Sequence, residues 1–336
     1  MSMNYDNLKL EKGMYHVSGK SFSAVLEELN PSEQYAGTKL EGLDAFERQL
    51  KRFDIKVAGH KSDAVEKFFS TSTSAALFPE YVKRAVMAGT ADLDILNGII
   101  ASKTYIDSLD YRSITSASSQ EEQELKRVAE GAEIPSMIIK TQENLVKLVK
   151  RGRMLVASYE AVKFQKLDLF TVTLRQIGAQ IARQQLGDAV DVLVNGDGNN
   201  NAAASVALLG SAFAYSDLLN LWSKFEDFEL NTLLVDGSAM VKLLSLSEFK
   251  DPVTGLNFQT TGKLATPMGA ALYKTSTVPS GKIIALDKNC ALEMVCAGDV
   301  NVEYDKLIDR QLERAAITST AGFAKIFPDA CKVMAV

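Results

Sequence analysis

The sequence holds little of what catalysis most often uses. Its 336 residues include two histidines, His16 and His60, both near the start. That leaves no basis for a histidine general base or a Ser-His-Asp triad. Gly-x-Ser-x-Gly and His-Glu-x-x-His are both missing, and with them the nucleophile elbow and the zinc-protease helix. Cys290, Cys296 and Cys331 form an odd, scattered set inside apolar stretches. They read as reduced core thiols in a cytosolic setting, neither a disulfide framework nor a metal site. No apolar run reaches the ~18 residues that a membrane-spanning helix needs. The opening Met1-Ser2-Met3-Asn4-Tyr5-Asp6 lacks a basic-then-apolar pattern, so no secretory leader is expected. A net charge of −5 excludes tight nucleic-acid binding through phosphate neutralisation. It permits a protein that surrounds nucleic acid without gripping it.

Several near-motifs fail on spacing. Gly13 to Ser21 ends in Gly19-Lys20-Ser21 like a phosphate-binding loop, but five residues separate its glycines, where convergence of the amides needs four. Gly255 to Leu264 has six, and Leu264 stands where a hydroxyl is needed. Asn195, Asp197, Asn199 and Asn201 alternate like calcium ligands, yet no glutamate follows until Glu226, and a helix–loop–helix calcium site requires one at its end. A turn that redirects the chain explains these residues better. Asp188, Asp191 and Asp197 could serve as acids in an atypical enzyme site; a solvated helix end and turn accounts for them as well. Neither catalytic residues, cofactor nor metal is expected.

What is present is architecture. With 46% hydrophobic and 24% charged residues, the composition is that of a globular protein, long enough for two lobes. From Asp168 to Val194 apolar residues recur in steps of three and four, at Leu167, Phe170, Leu174, Ile177 and Ile181, then Leu186, Val190 and Leu193. Arg175, Gln176, Gln180, Arg183 and Gln184 take the opposite face. The stretch stops at Asn195-Gly196-Asp197-Gly198, where Gly196 suits a left-handed cap. A rod of roughly 40 Å commonly ties two parts of a molecule together.

Around this rod the chain divides into zones. Phe22, Val25, Leu26 and Leu29 make one short helical stripe, and Leu43, Phe46, Leu50 and Phe53 another. Neither is stable alone, so residues 1–70 read as an arm that packs on something else. A helix is expected from Pro79 and a second around Leu93 to Ile100. Tyr105, Leu109, Tyr111 and Ile114 suggest a strand, Ser116 to Glu122 a polar tip, and Val128 to Val149 the return of a hairpin. Later come a helix from Ser216, a buried strand Thr232-Leu233-Leu234-Val235, a helix from Ser238 to Leu246, and loops from Phe249 to Gly269. Strands follow near Ile283 to Leu286, Ala291 to Cys296, Val300 to Tyr304 and Arg314 to Phe327. The class is α+β with a mostly antiparallel flavour. Lys147, Lys150, Arg151 and Arg153 form a basic run. It is either a strand edge kept soluble by charge or a docking surface for an acidic patch on a neighbouring subunit.

Five pieces now stand in a specific order: Ala76-Leu77-Phe78-Pro79-Glu80-Tyr81-Val82, then Glu130-Gly131-Ala132-Glu133-Ile134-Pro135, the long helix into Asn195-Gly196-Asp197-Gly198, Thr232-Leu233-Leu234-Val235-Asp236 before a helix, and Asp309-Arg310-Gln311-Leu312-Glu313-Arg314 with Ala316-Ile317. Together, over roughly Ser70 to Pro328, they resemble the major capsid proteins of tailed bacteriophages, which have the Hong Kong 97-type fold. The resemblance implies an N-terminal arm (1–70), a first part of a peripheral domain (71–115), an extended hairpin loop lying over an adjacent subunit (116–157), a spine helix (158–198), an axial domain (199–298), and peripheral return strands with the C-terminus (299–336). It implies a structural subunit, not an enzyme, that assembles through pentamers and hexamers into an icosahedral shell around double-stranded DNA. Lys147, Lys150, Arg151 and Arg153 then become inter-subunit contacts. The first zone is too short and mixed for a coiled-coil scaffolding segment, so a separate scaffolding protein is expected, with a portal protein as further partner. The location would be the virion, after assembly in the bacterial cytoplasm; neither a membrane nor covalent cross-linking is expected. The rival within the same fold is an encapsulin-like compartment, which needs a peptide-binding groove that the sequence does not reveal.

Overall fold

A computed structural model of the chain describes residues 5–17, 20–91, 95–108, 110–116, 127–128, 130, 139–158, 160, 164–250, 268–298, 300–307 and 312–336. In chain order, helices α1 (Phe22–Leu29), α2 (Ala45–Arg52), α3 (Ser72–Ala75) and α4 (Phe78–Ala91) come first. Strands β1 (Ser102–Tyr105), β2 (Ile114–Ser116), β3 (Ile139–Thr141) and β4 (Val149–Ser158) precede the long helix α5 (Leu167–Asn195). Then follow β5 (Ala204–Val206), α6 (Tyr215–Ser223), β6 (Thr232–Val235) and α7 (Gly237–Leu244). The chain closes with β7 (Ala271–Lys274), β8 (Lys282–Leu286), β9 (Leu292–Cys296), β10 (Asn301–Leu307), β11 (Leu312–Lys325) and β12 (Cys331–Ala335). The polar tip beyond Ser116, the Glu130–Pro135 motif beyond Glu130, the whole of Gly255–Leu264 and Asp309–Gln311 lie outside the described residues.

Residues divide into two compact units, the first made of Met1–Asp92, Arg151–Ile181 and Val300–Ser319. Its core gathers Phe22 and Leu26 of α1, Phe46 and Leu50 of α2, Tyr81, Val82 and Val86 of α4, and Leu174, Ile177 and Ile181 of α5. The first seventy residues therefore find here the surface on which their short helices bury. Local chemistry fixes both: Ser21 caps α1 by accepting from the Ala24 N–H, and Asp44 with Glu47 forms a capping box on α2. Arg48 is wholly buried, yet its guanidinium donates to Asn30 Oδ1 (2.9 Å), to the Asn30 and Leu43 carbonyls and to Ser32 Oγ. A buried charge needs such satisfaction to be tolerated. Tyr15 ties the zone to α4, its hydroxyl donating to the Ala76 carbonyl and accepting from the Glu80 N–H; burial, then Glu80, pushes that phenol far up from its ordinary value.

Helices α4 and α5 touch backbone to backbone. A Cβ placed on Gly89 would overlap the Arg175 carbonyl, and one on Gly178 would overlap the Val86 carbonyl. The two glycines are reciprocal, each clearing room for a carbonyl of the other helix. In the same unit β10 pairs antiparallel with the first half of β11, from Asn301↔Thr318 to Leu307↔Leu312, and β4 also pairs with β11.

The second unit comprises Leu93–Lys150, Ala182–Asp299 and Thr320–Val336. Its main sheet has the order β5-β12-β8-β6-β7. Alternation splits the strand side chains between two cores. Leu233, Val235, Ile283 and Ala285 pack with Leu218 and Leu221 of α6 and Leu243 of α7. Leu234, Ile284 and Leu286 pack with Leu186, Val190 and Leu193 of α5. Both faces of β6 are covered, which is why it reads as an uninterrupted apolar run. β9 runs parallel to β1 and antiparallel to the second half of β11. β2 and β3 form a short antiparallel ladder, Ile114↔Thr141 to Ser116↔Ile139.

Two local expectations change. Residues 95–99, expected within a helix, form a turn, and Gly98 there lies against Tyr273, so close that a Cβ would meet the ring. The strand expected from Tyr105 to Ile114 is two strands, β1 ending at Tyr105 and β2 starting at Ile114. The pairing is mostly antiparallel, as expected, with parallel pairs of β1 with β9, β5 with β12 and β6 with β7.

Candidate functional site

The polar side chains of the second unit converge on the root of the β2–β3 hairpin. On the outgoing limb, Glu293 of β9 is a buried carboxylate that accepts from three hydroxyls: Thr104 Oγ1 (2.5 Å), Tyr111 OH (2.7 Å) and Ser113 Oγ. Burial, then the Glu293 charge, raises the Tyr111 phenol above its ordinary value.

On the returning limb the anchor is the turn after α5. Gly196 closes the helix, its N–H bonded to the Val192 carbonyl at φ +86°, the left-handed cap expected there. Asp197 Oδ1 accepts from Asn199, while its Oδ2 accepts the Lys325 backbone N–H (2.9 Å). Asn199 Oδ1 accepts the Asn144 N–H (2.9 Å), Asn144 Nδ2 donates to the Gly198 carbonyl (2.8 Å), and Asn199 Nδ2 donates to Gln142 Oε1. Gln142 Nε2 in turn donates to the Lys325 carbonyl (2.8 Å).

Lys325 lies at the centre with no exposed surface. Its Nζ donates to the carbonyls of Leu193 (3.2 Å) and Asn201 (3.0 Å), an internal cation at a helix C-terminus, where the macrodipole favours one. Burial nevertheless lowers its ammonium below the ordinary lysine value. Cys331 and Cys296 are buried and Cys290 is half-buried; desolvation pushes the Cys331 thiol up to about 11.

The expected residues Asn195, Gly196, Asp197 and Gly198 thus belong to this hub, with Asn195 Nδ2 donating to Asp191 Oδ1. Among the described residues no group of three or more His, Cys, Asp or Glu could hold a metal ion. Lys147 shares a cleft of about 270 Å³ with Asp188, Asp191 and Asp197 of its own chain. Lys150 and Arg153 are exposed and Arg151 is half-buried on β4. Lys325, Glu293, Gln142 and Asn144 were not singled out from sequence. The available signal was a lone charge in an apolar strand, as in Ala324-Lys325-Ile326 and Leu292-Glu293-Met294.

The first unit carries a different surface. Met154 and Val156 of β4, Leu169 and Val172 of α5, and Phe164 between them are each more than half exposed, Phe164 by 75%. Beside them lies an apolar groove of about 470 Å³, lined by Leu155, Phe170, Tyr304 and Ala315 among others, with Arg314 at its wall. The second unit exposes Leu219 and Trp222 of α6 and Val241 of α7.

Residues 141–314, just over half of the chain, match the model of a family described as phage capsid protein. No curated protein matches the sequence. Among solved structures, the capsid of a native GTA particle is similar at a TM-score of 0.53 and 13% identity, covering 74% of this chain and 90% of that one. A Microbacterium phage Oxtober96 chain is similar at 0.52 and 12%, covering 71% and 90%. A virus-like particle from Pyrococcus furiosus is similar at 0.51 and 12%, covering 76% and 98%. At such identities the likeness is one of fold: α+β, of the Hong Kong 97 type.

Proposed function

Since the chain belongs to the phage capsid protein family, we propose that it is the major head subunit, closing through pentamers and hexamers into an icosahedral shell around double-stranded DNA. Its role is structural, it is a component of the virion, and it assembles with copies of itself. The finer reading adds assembly in the host cytoplasm on a separate scaffolding protein, a portal partner, and no catalytic activity. In it the β2–β3 hairpin reaches a neighbouring subunit, α5 is the spine of a peripheral domain, and the sheet of β5 to β8 with β12 belongs to an axial domain.

One observation carries this reading most. Five large apolar side chains on β4, α5 and the connection between them are each more than half exposed, and such patches mark surfaces that a partner covers. Contacts weak in isolation suffice when repeated around a closed shell. Trp222, the sole tryptophan, is 53% exposed on α6, so it reports on association. Concentrating purified subunits with scaffold should move light scattering from the 36.6 kDa species to rings or shells and shift Trp222 emission to the blue. A persistent monomer with unchanged emission would sink the reading.

The exposed charges of β4 are read as contacts between subunits. An exposed ion pair contributes only about 0.2–1 kcal/mol, so Lys150→Glu with Arg153→Glu should leave the subunit's melting temperature unchanged. Repeated at every contact, the reversal should abolish shells in negative-stain images while rings remain. Normal-sized shells from this variant would return these residues to the role of a solvated strand edge.

The groove favours a second reading, an encapsulin-like compartment that loads a cargo protein through an apolar segment. Its volume is within the ~300–1,000 Å³ of ligand sites. Shells isolated from producing cells separate the two: nuclease-protected DNA supports the phage head, a single co-purifying enzyme the compartment.

A further inference from the structure

We propose that the outer edge of β4 pairs antiparallel with the same strand of a second copy, about a twofold axis at Leu155. The pairing's part in a shell rests on the reading above, that another subunit covers this patch; the pairing itself does not.

β10 takes one edge of β11, from Asn301↔Thr318 onward. Gly152 of β4 lies against Ile317 and Thr318 of the same strand, so β4 holds the other edge. Among the described residues β4 pairs with β11 alone, which leaves its outer edge without a strand. That edge is guarded over only part of its length. Lys150, Arg151 and Arg153 stand along its first half, the kind of charge that keeps an open edge from pairing indiscriminately. From Met154 to Ser158 there is no charge, proline or glycine. Leu155 packs on the core of its own unit, while its neighbours Met154 and Val156 are each more than half exposed. Left uncovered, such a run is an aggregation site.

Charge and register select the same segment of a second copy as the cover. With the axis at Leu155, Met154 stands opposite the partner's Val156, and Arg153 opposite the partner's Ala157. The exposed apolar side chains then meet as cross-strand pairs. The two Arg153 positions are kept ~13 Å apart along the ribbon at ~3.3 Å per residue, beyond the screening length of ~8 Å. In-register parallel pairing would instead set Arg153 beside the partner's Arg153, and like charges there oppose pairing. The antiparallel twofold contact therefore covers the apolar half of the edge and separates the basic halves, leaving Lys150 and Arg153 at the ribbon's two ends. It is isologous, the same patch serving both copies, and short enough to be weak until repeated around a shell.

Cysteine pairing in the full chain tests the register. Met154→Cys and Val156→Cys are made separately, mixed, and exposed to oxidised glutathione. Residues 154 and 156 of different copies are directly opposite, whereas 154 with 154 lies at the diagonal spacing of about 7–8 Å between Cα atoms, out of disulfide reach. The mixture should give at least about fivefold more linked dimer than either variant alone. Wild type, with Cys296 and Cys331 buried and Cys290 half-buried, sets the background. Equal linking in all three samples, or none in the mixture, would overturn the pairing. If a cysteine variant folds poorly, Met154→Lys with Val156→Lys places like charges across the axis and should weaken self-association of the subunit by about tenfold at an unchanged melting temperature; association equal to wild type would overturn the pairing as well. A second arm images shells. If the cysteines link in register yet the lysine variant closes into shells of wild-type size and yield, the pairing has no part in assembly and that half of the proposal fails. If wild-type protein forms no shells, the capsid reading fails while the cysteine result still decides the pairing.

Discussion

Gly178→Ala is expected to destabilise the isolated subunit by about 3 kcal/mol, the upper end of what overpacking usually costs. In an exposed helix the same change would stabilise, because alanine is the better helix former by about 1 kcal/mol. Here the added methyl meets the Val86 carbonyl, and in Gly89→Ala the Arg175 carbonyl. Both obstacles are backbone, which cannot rotate away as a side chain can, so α4 and α5 must separate. Separation strips contacts from Val82, Val86, Leu174 and Ile177, all in one core. The two effects should not add: once one methyl has forced the helices apart, the second enters space already opened. Urea unfolding of both single variants and the double variant checks this. A Gly178→Ala protein as stable as wild type would show that the helices are not in contact at this point.

Lys325→Met should cost about 2–3 kcal/mol at neutral pH. Methionine fills a similar volume but leaves the Leu193 and Asn201 carbonyls without their charged donor. Removing one side of a buried charged contact is costly even where the whole contact contributes little net stability. The pH dependence has a definite sign. Burial lowers the folded ammonium below 10.5, so between the folded and unfolded values the unfolded chain binds more protons, and stability from this group rises with pH. Tyr15, Tyr81 and Cys331, whose acidities burial weakens, act in the opposite direction in both proteins. The gap between wild type and Lys325→Met should therefore widen as pH rises towards 10.5, and a gap that narrows would contradict the assignment.

Much of the fold was legible because local pattern and tertiary packing agree. α5 keeps its apolar stripe from Leu167 to Leu193 because both halves bury it, one against each core. α2 announces itself through Asp44 and Glu47, and β6 through four consecutive apolar or β-branched residues covered on both faces. The misses share one cause, contacts from residues distant in sequence. The turn at 95–99 depends on Tyr273, and the break between β1 and β2 accompanies the draw of Tyr111 and Ser113 toward Glu293. The turn at 195–198 was visible as a helix end, but its use as an anchor was not, since Gln142, Asn144 and Lys325 come from two other segments. An exposed apolar groove leaves no periodic trace either, because its walls are contributed by β4, α5, β10 and β11.

The docking of the first seventy residues sets a limit on proteolysis. Phe22, Leu26, Phe46 and Leu50 sit in the same core as Tyr81, Val82 and Val86 of α4, and Arg84 of that helix is paired with Asp44. A protease that trimmed the chain past α2 would leave α4 with its apolar face open to water and Arg84 without that partner. The segment is thus an internal wall of its unit: a cut within it removes core, and because Leu10 is already buried in that core and Tyr15 grips α4, a tag or fused cargo inserted between Leu10 and α4 would break the packing.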